Sequence, residues 1–321
     1  SLLPIMNAKY KYNILRNNLK KKRKLYSKSK QDNSNKNYQI YKIIFLILLL
    51  LPSFLTLYLK LIFKRESGNR NQKQSQYQQD DLTLVTAYYR IKSKHSPEEY
   101  LRRIKNFVLL NRSIVYFTNK EFMPTIKEMR PKELHNKTVF IEVEMEEFYS
   151  YQNFYEFFKE SFKDDFENRF HTVPLYTVWA EKCNFVKKAI LQNYFQSKCF
   201  YWIDAGYFFA EKSESEMQKY INDWPKLNRC FSDKRIVLGT VREYTESEKK
   251  NFVNFDPGEH YRLPRTVNTC GGFFGGQIES TLKFIEYYYE AVRQFIKRKI
   301  FCGKEQTVFA YVAFAQDRKS V

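Results

Sequence analysis

The chain has 321 residues, 43% hydrophobic and 18% aromatic, with 55 Lys/Arg against 35 Asp/Glu and a formal net charge of +20. That length fits one large domain with an appendage, or two small domains. The charge is local, with 17 Lys/Arg against 2 acids in residues 1–73 and 38 against 33 in residues 74–321. The folded part therefore lacks the arranged basic face that nucleic-acid binding requires.

Residues 1–42, with the basic run Lys20–Lys24, read as a disordered cytoplasmic tail. Residues 43–63 are strongly apolar and uncharged except for Lys60, and match the roughly 20 residues that cross a bilayer as a helix. Lys60 can snorkel to the interface, and membrane helices tolerate a proline such as Pro52. Twelve Lys/Arg precede the segment. The positive-inside rule then predicts a single-pass type II signal anchor with its C-terminal part in the lumen. The expected partner of this segment is the lipid bilayer, and the expected address is an endomembrane, Golgi or endoplasmic reticulum. Residues 64–81 lack large aliphatic side chains and read as a stem. The globular domain is expected over 82–321.

Within that domain the pattern alternates. Leu82–Tyr89 predicts a strand. Ser96-Pro97-Glu98-Glu99 is a helix start, with Ser as cap, Pro in the first turn and Glu99 closing a capping box. The helix runs to about Leu110, and strand Ile114–Thr118 follows, a β-α-β unit. Thr138–Val143 predicts a strand and Glu146–Phe162 an aromatic-rich helix. Leu175–Gln192 predicts a helix with Leu175, Trp179, Cys183, Val186 and Ile190 on one face. A strand then ends at Asp204. Arg235–Val241 predicts a strand, Leu282–Phe301 a helix, and a last helix starts near Glu305. The alternation argues for an α/β domain with a mostly parallel sheet flanked by helices.

The segment Cys199–Phe208, CFYWIDAGYF, is a buried apolar strand that runs into an acid and a glycine. In open α/β sheets ligands sit outside the carboxyl ends of strands, so Asp204 is placed to meet a sugar hydroxyl or a metal-bridged phosphate; the competing reading is that it only opens a turn. Val267–Gly276 holds four of the nine glycines. It reads as a loop against substrate, with Asn268, Gly271, Gly272, Gly275 and Gly276 as contacts. The competing reading is a bulged hairpin with Phe273 and Phe274 in the core. Glu305 and Gln306 open the last helix; Glu305 is a candidate base, or an acid that complements the helix dipole. Lys182, Arg262, Arg265 and Lys304 are candidate partners of a diphosphate, or solvated surface charges. Of the four histidines only His260 stands in a suggestive setting. The five cysteines form no zinc spacing, and their pairing is open. Asn111 and Asn136 begin possible glycosylation motifs. There is no nucleotide-binding loop, hydrolase elbow or kinase signature.

The order of these motifs resembles that of GT-A nucleotide-sugar glycosyltransferases. More closely, the stretches Leu84–Leu101, Val178–Ile190, Phe200–Phe208, Gly271–Gly276 and Gly303–Phe309 resemble the HtrL/YibB family, over roughly residues 82–314. The resemblance implies a GT-A-like, Rossmann-related domain that transfers a sugar from a nucleotide-sugar donor to a glycan or glycoprotein. It implies Asp204 as a catalytic residue and ligand of a divalent cation, Mn or Mg, and Glu305 as a catalytic base or acceptor ligand near the reaction centre. Lys182, Gln306 and the glycine segment would then bind substrate. One departure is that Gly206 stands where the motif often has a second Asp, so two-carboxylate metal binding is not provided locally. That departure favours an alternative, a non-catalytic carbohydrate-binding or assembly module on the same fold.

Overall fold

The computed structural model describes residues 77–92, 95–208, 214–221, 224–225, 235–257, 263 and 268–315. All lie in the compact unit Arg70–Val321. The tail, the 43–63 segment, Arg262, Arg265 and His260 lie outside the described residues.

Six strands form one open sheet: β1 (Leu82–Tyr88), β2 (Ser113–Thr118), β3 (Thr138–Glu142), β4 (Cys199–Ile203), β5 (Ile236–Thr240) and β6 (Thr269–Gln277), in the order β3-β2-β1-β4-β6-β5. β3, β2, β1 and β4 pair in parallel. β6 runs antiparallel to both of its neighbours, β4 and β5. The described helices are α1 (Pro97–Phe107), α2 (Met123–Met129), α3 (Tyr149–Ser161), α4 (Val173–Gln192), α5 (Glu214–Ile221), α6 (Glu246–Val253), α7 (Ile278–Lys297) and α8 (Glu305–Ala315).

Local chemistry explains most boundaries. Ser96 caps α1 by accepting from the Glu99 amide at 3.2 Å, with Pro97 at the first position. Asn193, left-handed at φ 40°, stops α4. Thr245 and Glu248 form a capping box that starts α6. Every residue of β1, β2 and β4 is buried, because helices cover both faces. On one face α3, α4, α7 and α8 pack over Val85, Val115, Trp202 and Phe274; on the other, α1, α2 and α5 pack over Leu84, Tyr116 and Tyr201. Phe185 of α4 anchors the first layer, stacked on Phe117 at 4.6 Å between ring centroids.

Two expectations need correction. The sheet is mixed and not the mostly parallel, Rossmann-related GT-A-like sheet anticipated, because the glycine-rich segment is the antiparallel strand β6 and not a loop. A Cβ at Gly275, whose φ is +152°, would lie 2.1 Å from the Phe200 carbonyl oxygen. Only glycine lets β6 come this close to β4. Phe274 is fully buried and Phe273 half-buried, as the hairpin reading required, and the ladder to β5 slips between Leu238 and Gly239.

The second correction concerns the membrane. Among the described residues no helix is long and apolar enough to cross one. The two longest, α4 and α7, carry charges such as Glu181, Lys182, Lys187 and Lys188, or Glu279, Lys283, Glu286 and Arg293. The described residues therefore give no support to a membrane-anchored single-pass topology, a bilayer partner or a Golgi or reticulum address, and residues 43–63 lie outside them.

Gly275→Ala is expected to destabilise the fold by at least about 2 kcal/mol, through strain at positive φ and overpacking against β4. Urea denaturation of the purified chain measures it, and an unchanged midpoint would contradict the close approach of β6 to β4.

Candidate functional site

The chain runs β1 to β2 to β3 on one side of β1, then returns through α3 and α4 to place β4 on the other side. Strand order thus reverses between β1 and β4. Outside the carboxyl ends of strands at such a reversal is where open α/β sheets bind ligands. A cleft of about 240 Å³ opens there. Tyr88 and Arg90 come from the end of β1, Tyr100 and Arg103 from α1, Trp179 and Lys182 from α4, and Trp202 and Asp204 from the end of β4. The cleft is small beside ligand sites of about 300–1,000 Å³.

Lys182 organises its floor. The ammonium lies 2.6 Å from Glu305 Oε1 and 3.0 Å from Asp204 Oδ1, and donates to the Gly271 carbonyl at 3.1 Å. It also stands 5.7 Å from the centre of the Trp202 ring. The Lys182 side chain is 3% exposed, Glu305 4% and Asp204 42%. Burial works against the ammonium, but Asp204 and Glu305 outweigh it and hold the Lys182 pKa above its ordinary value. Trp202 Nε1 donates to Asp204 Oδ1 at 2.7 Å. The Asp204 amide donates to the Gly272 carbonyl at 3.0 Å, which fixes the turn after β4 to β6. Glu305 sits in the first turn of α8, where the helix dipole favours an anion. A Cβ at Gly271 would fall 2.1 Å from Glu305 Oε1, so glycine is what admits the carboxylate.

Asp204, Lys182, Glu305, Gly271 and Gly272 therefore meet at one point. Gln306 also borders it, its side chain 3.2 Å from the position of a Gly271 Cβ. Gly275 and Gly276 lie further along β6 and pack on the backbones of β4 and β5. Asn268 is turned away and donates to Glu248 Oε1 of α6 at 3.2 Å. Sequence reasoning missed the walls, Tyr88, Tyr100 and Arg103, and gave Trp179 only a place on a helix face. The signal was positional, since Tyr88-Tyr89-Arg90 ends β1 beside β4.

These residues do not fit a divalent cation as they stand. The ammonium of Lys182 already occupies the position between the two carboxylates. Among the described residues no group of three or more His, Cys, Asp or Glu could hold a metal. This arrangement gives no support to the expected step in which a metal-bound Asp204 neutralises a donor diphosphate.

Two further acids are structural. Glu181, fully buried beside Lys182, accepts from the Tyr149 and Ser150 amides at 3.2 and 2.8 Å and so caps α3. Burial raises its pKa against these bonds. Asp165 accepts from Tyr176 and pairs with His171, both at 2.6 Å, and lies 3.2 Å from Lys304. Lys304 is not in the cleft; it ties the loop before α4 to the start of α8. Cys199 is disulfide-bonded, whereas Cys183, Cys270 and Cys302 are free.

Fold and cleft together define an α/β domain with a mixed sheet and a lysine-bridged pair of carboxylates at its strand ends. Residues 80–317 match the HtrL_YibB family, described as a bacterial protein of unknown function, and the chain belongs to that family. No curated protein matches the chain.

Lys182→Met is expected to destabilise the chain by about 3–5 kcal/mol, because it leaves the buried Glu305 carboxylate without its cation. Adding Glu305→Gln should recover at least about 1 kcal/mol, measured as the coupling in a double-mutant denaturation cycle. Additive effects would contradict the bridge.

Burial alone would raise the Asp165 pKa, but Tyr176, the Glu167 amide, His171 and Lys304 pull it from 3.8 down to about 2. A depressed carboxyl stabilises the fold fully above the unfolded value and less as pH falls through the folded one. Asp165 should thus contribute about 2 kcal/mol above pH 5 that disappears toward pH 2. Asp165→Asn is expected to be less stable at pH 7 and to flatten that acid limb in denaturation curves taken from pH 7 to pH 2.

Proposed function

We propose that this domain is a non-catalytic carbohydrate-binding module whose cleft at the ends of β1 and β4 holds a sugar ring. The observation that carries the reading is the cleft's combination of aromatic and hydrogen-bonding groups. Tyr88, Tyr100 and Trp179 line it together with the exposed guanidinium of Arg90 and the partly exposed carboxylate of Asp204. Aromatic rings offer large apolar faces at low entropic cost, and the C–H faces of a pyranose pack on such rings. A carboxylate and a guanidinium accept from and donate to ring hydroxyls, and such charge-assisted bonds are the strong ones.

The state of the acids supports binding over transfer. Glu305 is buried and locked to Lys182, so it reaches no acceptor hydroxyl without breaking an ion pair. Asp204 Oδ1 is occupied by Lys182 and Trp202. Binding of this kind draws on no cation. The binding unit corresponds to the family-matched residues 80–317.

The test uses the full chain in saturation-transfer NMR with glucose, galactose, mannose and N-acetylglucosamine and their 1,4-linked dimers. At least one sugar should bind, and Trp179→Ala should weaken it by about 10- to 100-fold, roughly 1.4–2.7 kcal/mol. Incubation with the corresponding nucleotide sugars and Mn²⁺ should yield no transfer product. Turnover of any nucleotide sugar, or no saccharide binding by the folded chain, overturns the proposal.

A further inference from the structure

Asp204 is used asymmetrically. Both of its side-chain contacts, to Lys182 and Trp202, go through Oδ1. Among the described residues nothing bonds Oδ2, although the side chain is 42% exposed. Gly272 borders that oxygen: an added Cβ there would stand 3.3 Å from Oδ2 and 3.4 Å from Cys270 Sγ. Glycine therefore leaves open the space over Oδ2. An exposed acceptor with its other oxygen fixed is oriented before any ligand arrives, and such preorganisation lowers the cost of binding.

A second aromatic surface lies on the same turn. The Tyr207 amide donates to the Asp204 carbonyl at 2.9 Å, so the backbone of Tyr207 is fixed on the turn that carries the carboxylate. Its side chain is one of the few large exposed hydrophobics, 37% exposed. It does not stand alone, since its ring lies 5.3 Å from that of Trp224, which itself packs on Phe208 and Phe273. The intervening Gly206 faces the other way, its missing Cβ 3.3 Å from the Tyr100 ring in the cleft. Asp204 thus stands between two aromatic surfaces, the cleft at Tyr100 and the supported ring of Tyr207.

We infer that the ligand is an oligosaccharide of at least two units that runs across Asp204. One ring fills the cleft, and the next lies on Tyr207 with a hydroxyl donated to Asp204 Oδ2 over Gly272. This rests on the proposed carbohydrate-binding function and adds to it the length of the ligand and a second subsite. The small cleft fits this, because a ligand that continues outside needs an aromatic surface and an open acceptor at the rim.

The test measures affinity of the full chain for glucose, cellobiose and cellotriose, and for N-acetylglucosamine and its β-1,4 dimer and trimer. The expected result is a gain of about tenfold or more from monomer to dimer, the size of one further ring contact. Tyr207→Ala should bring the dimer-to-monomer ratio close to one. Gly272→Ala, which crowds Oδ2 without touching the aromatic surface, should reduce the same ratio and guards against a folding defect in the first variant. Monomer binding with no gain from length, or a ratio unmoved by both variants, overturns this inference while the carbohydrate-binding reading stands. Absence of binding by every saccharide overturns both.

Discussion

The buried ammonium of Lys182 is the interaction on which the rest of the site depends. It joins four elements that are far apart in sequence: α4, the end of β4, β6 through the Gly271 carbonyl, and the start of α8 through Glu305. Burying one charge costs several kcal/mol, and a pair is tolerated only when geometry and further hydrogen bonds satisfy it. Here two carboxylates, a carbonyl and an aromatic face surround the cation. Glu305 sits at a helix start, where the dipole favours an anion, and the Trp202 indole donates to Asp204, so both anions have support besides the lysine.

That bridge also decides what the site offers a ligand. It consumes Glu305 and one oxygen of Asp204, so the acids are not poised for metal chelation. What remains accessible is aromatic surface, a guanidinium and the second oxygen of Asp204. The mixed sheet contributes directly: antiparallel β6 brings glycines against both acids, and a strand with side chains at Gly271 and Gly272 would fill the space they use. The glycines thus serve geometry at the site and, at Gly275, close packing of strand on strand.

Much of the fold was legible. Continuous apolar runs marked β1, β2 and β4, which are covered on both faces, and helical periodicity marked α4 and α7 with Cys183, Val186, Ile285 and Val292 inward. The capped start of α1 was written in Ser96-Pro97. The short helices α2, α5 and α6 escaped notice, although Thr245 and Glu248 spelled a capping box. β6 was misread because glycine is depleted in strands, so local propensity pointed to a loop. Asp204, Lys182 and Glu305 were identifiable as single residues, but nothing in their spacing said that they bond to one another.

The sequence by itself determined which segments are apolar, where helices begin, and that an acid follows a buried strand, because these depend on neighbours within a few residues. Only the tertiary structure decided that β6 runs antiparallel beside β4, that Lys182 turns inward among apolar neighbours, and that Asp204 keeps one oxygen open between two aromatic surfaces. Strand direction and charge pairing are set by contacts between residues as distant as 182 and 305, and those contacts form only when the sheet and its helices close on each other.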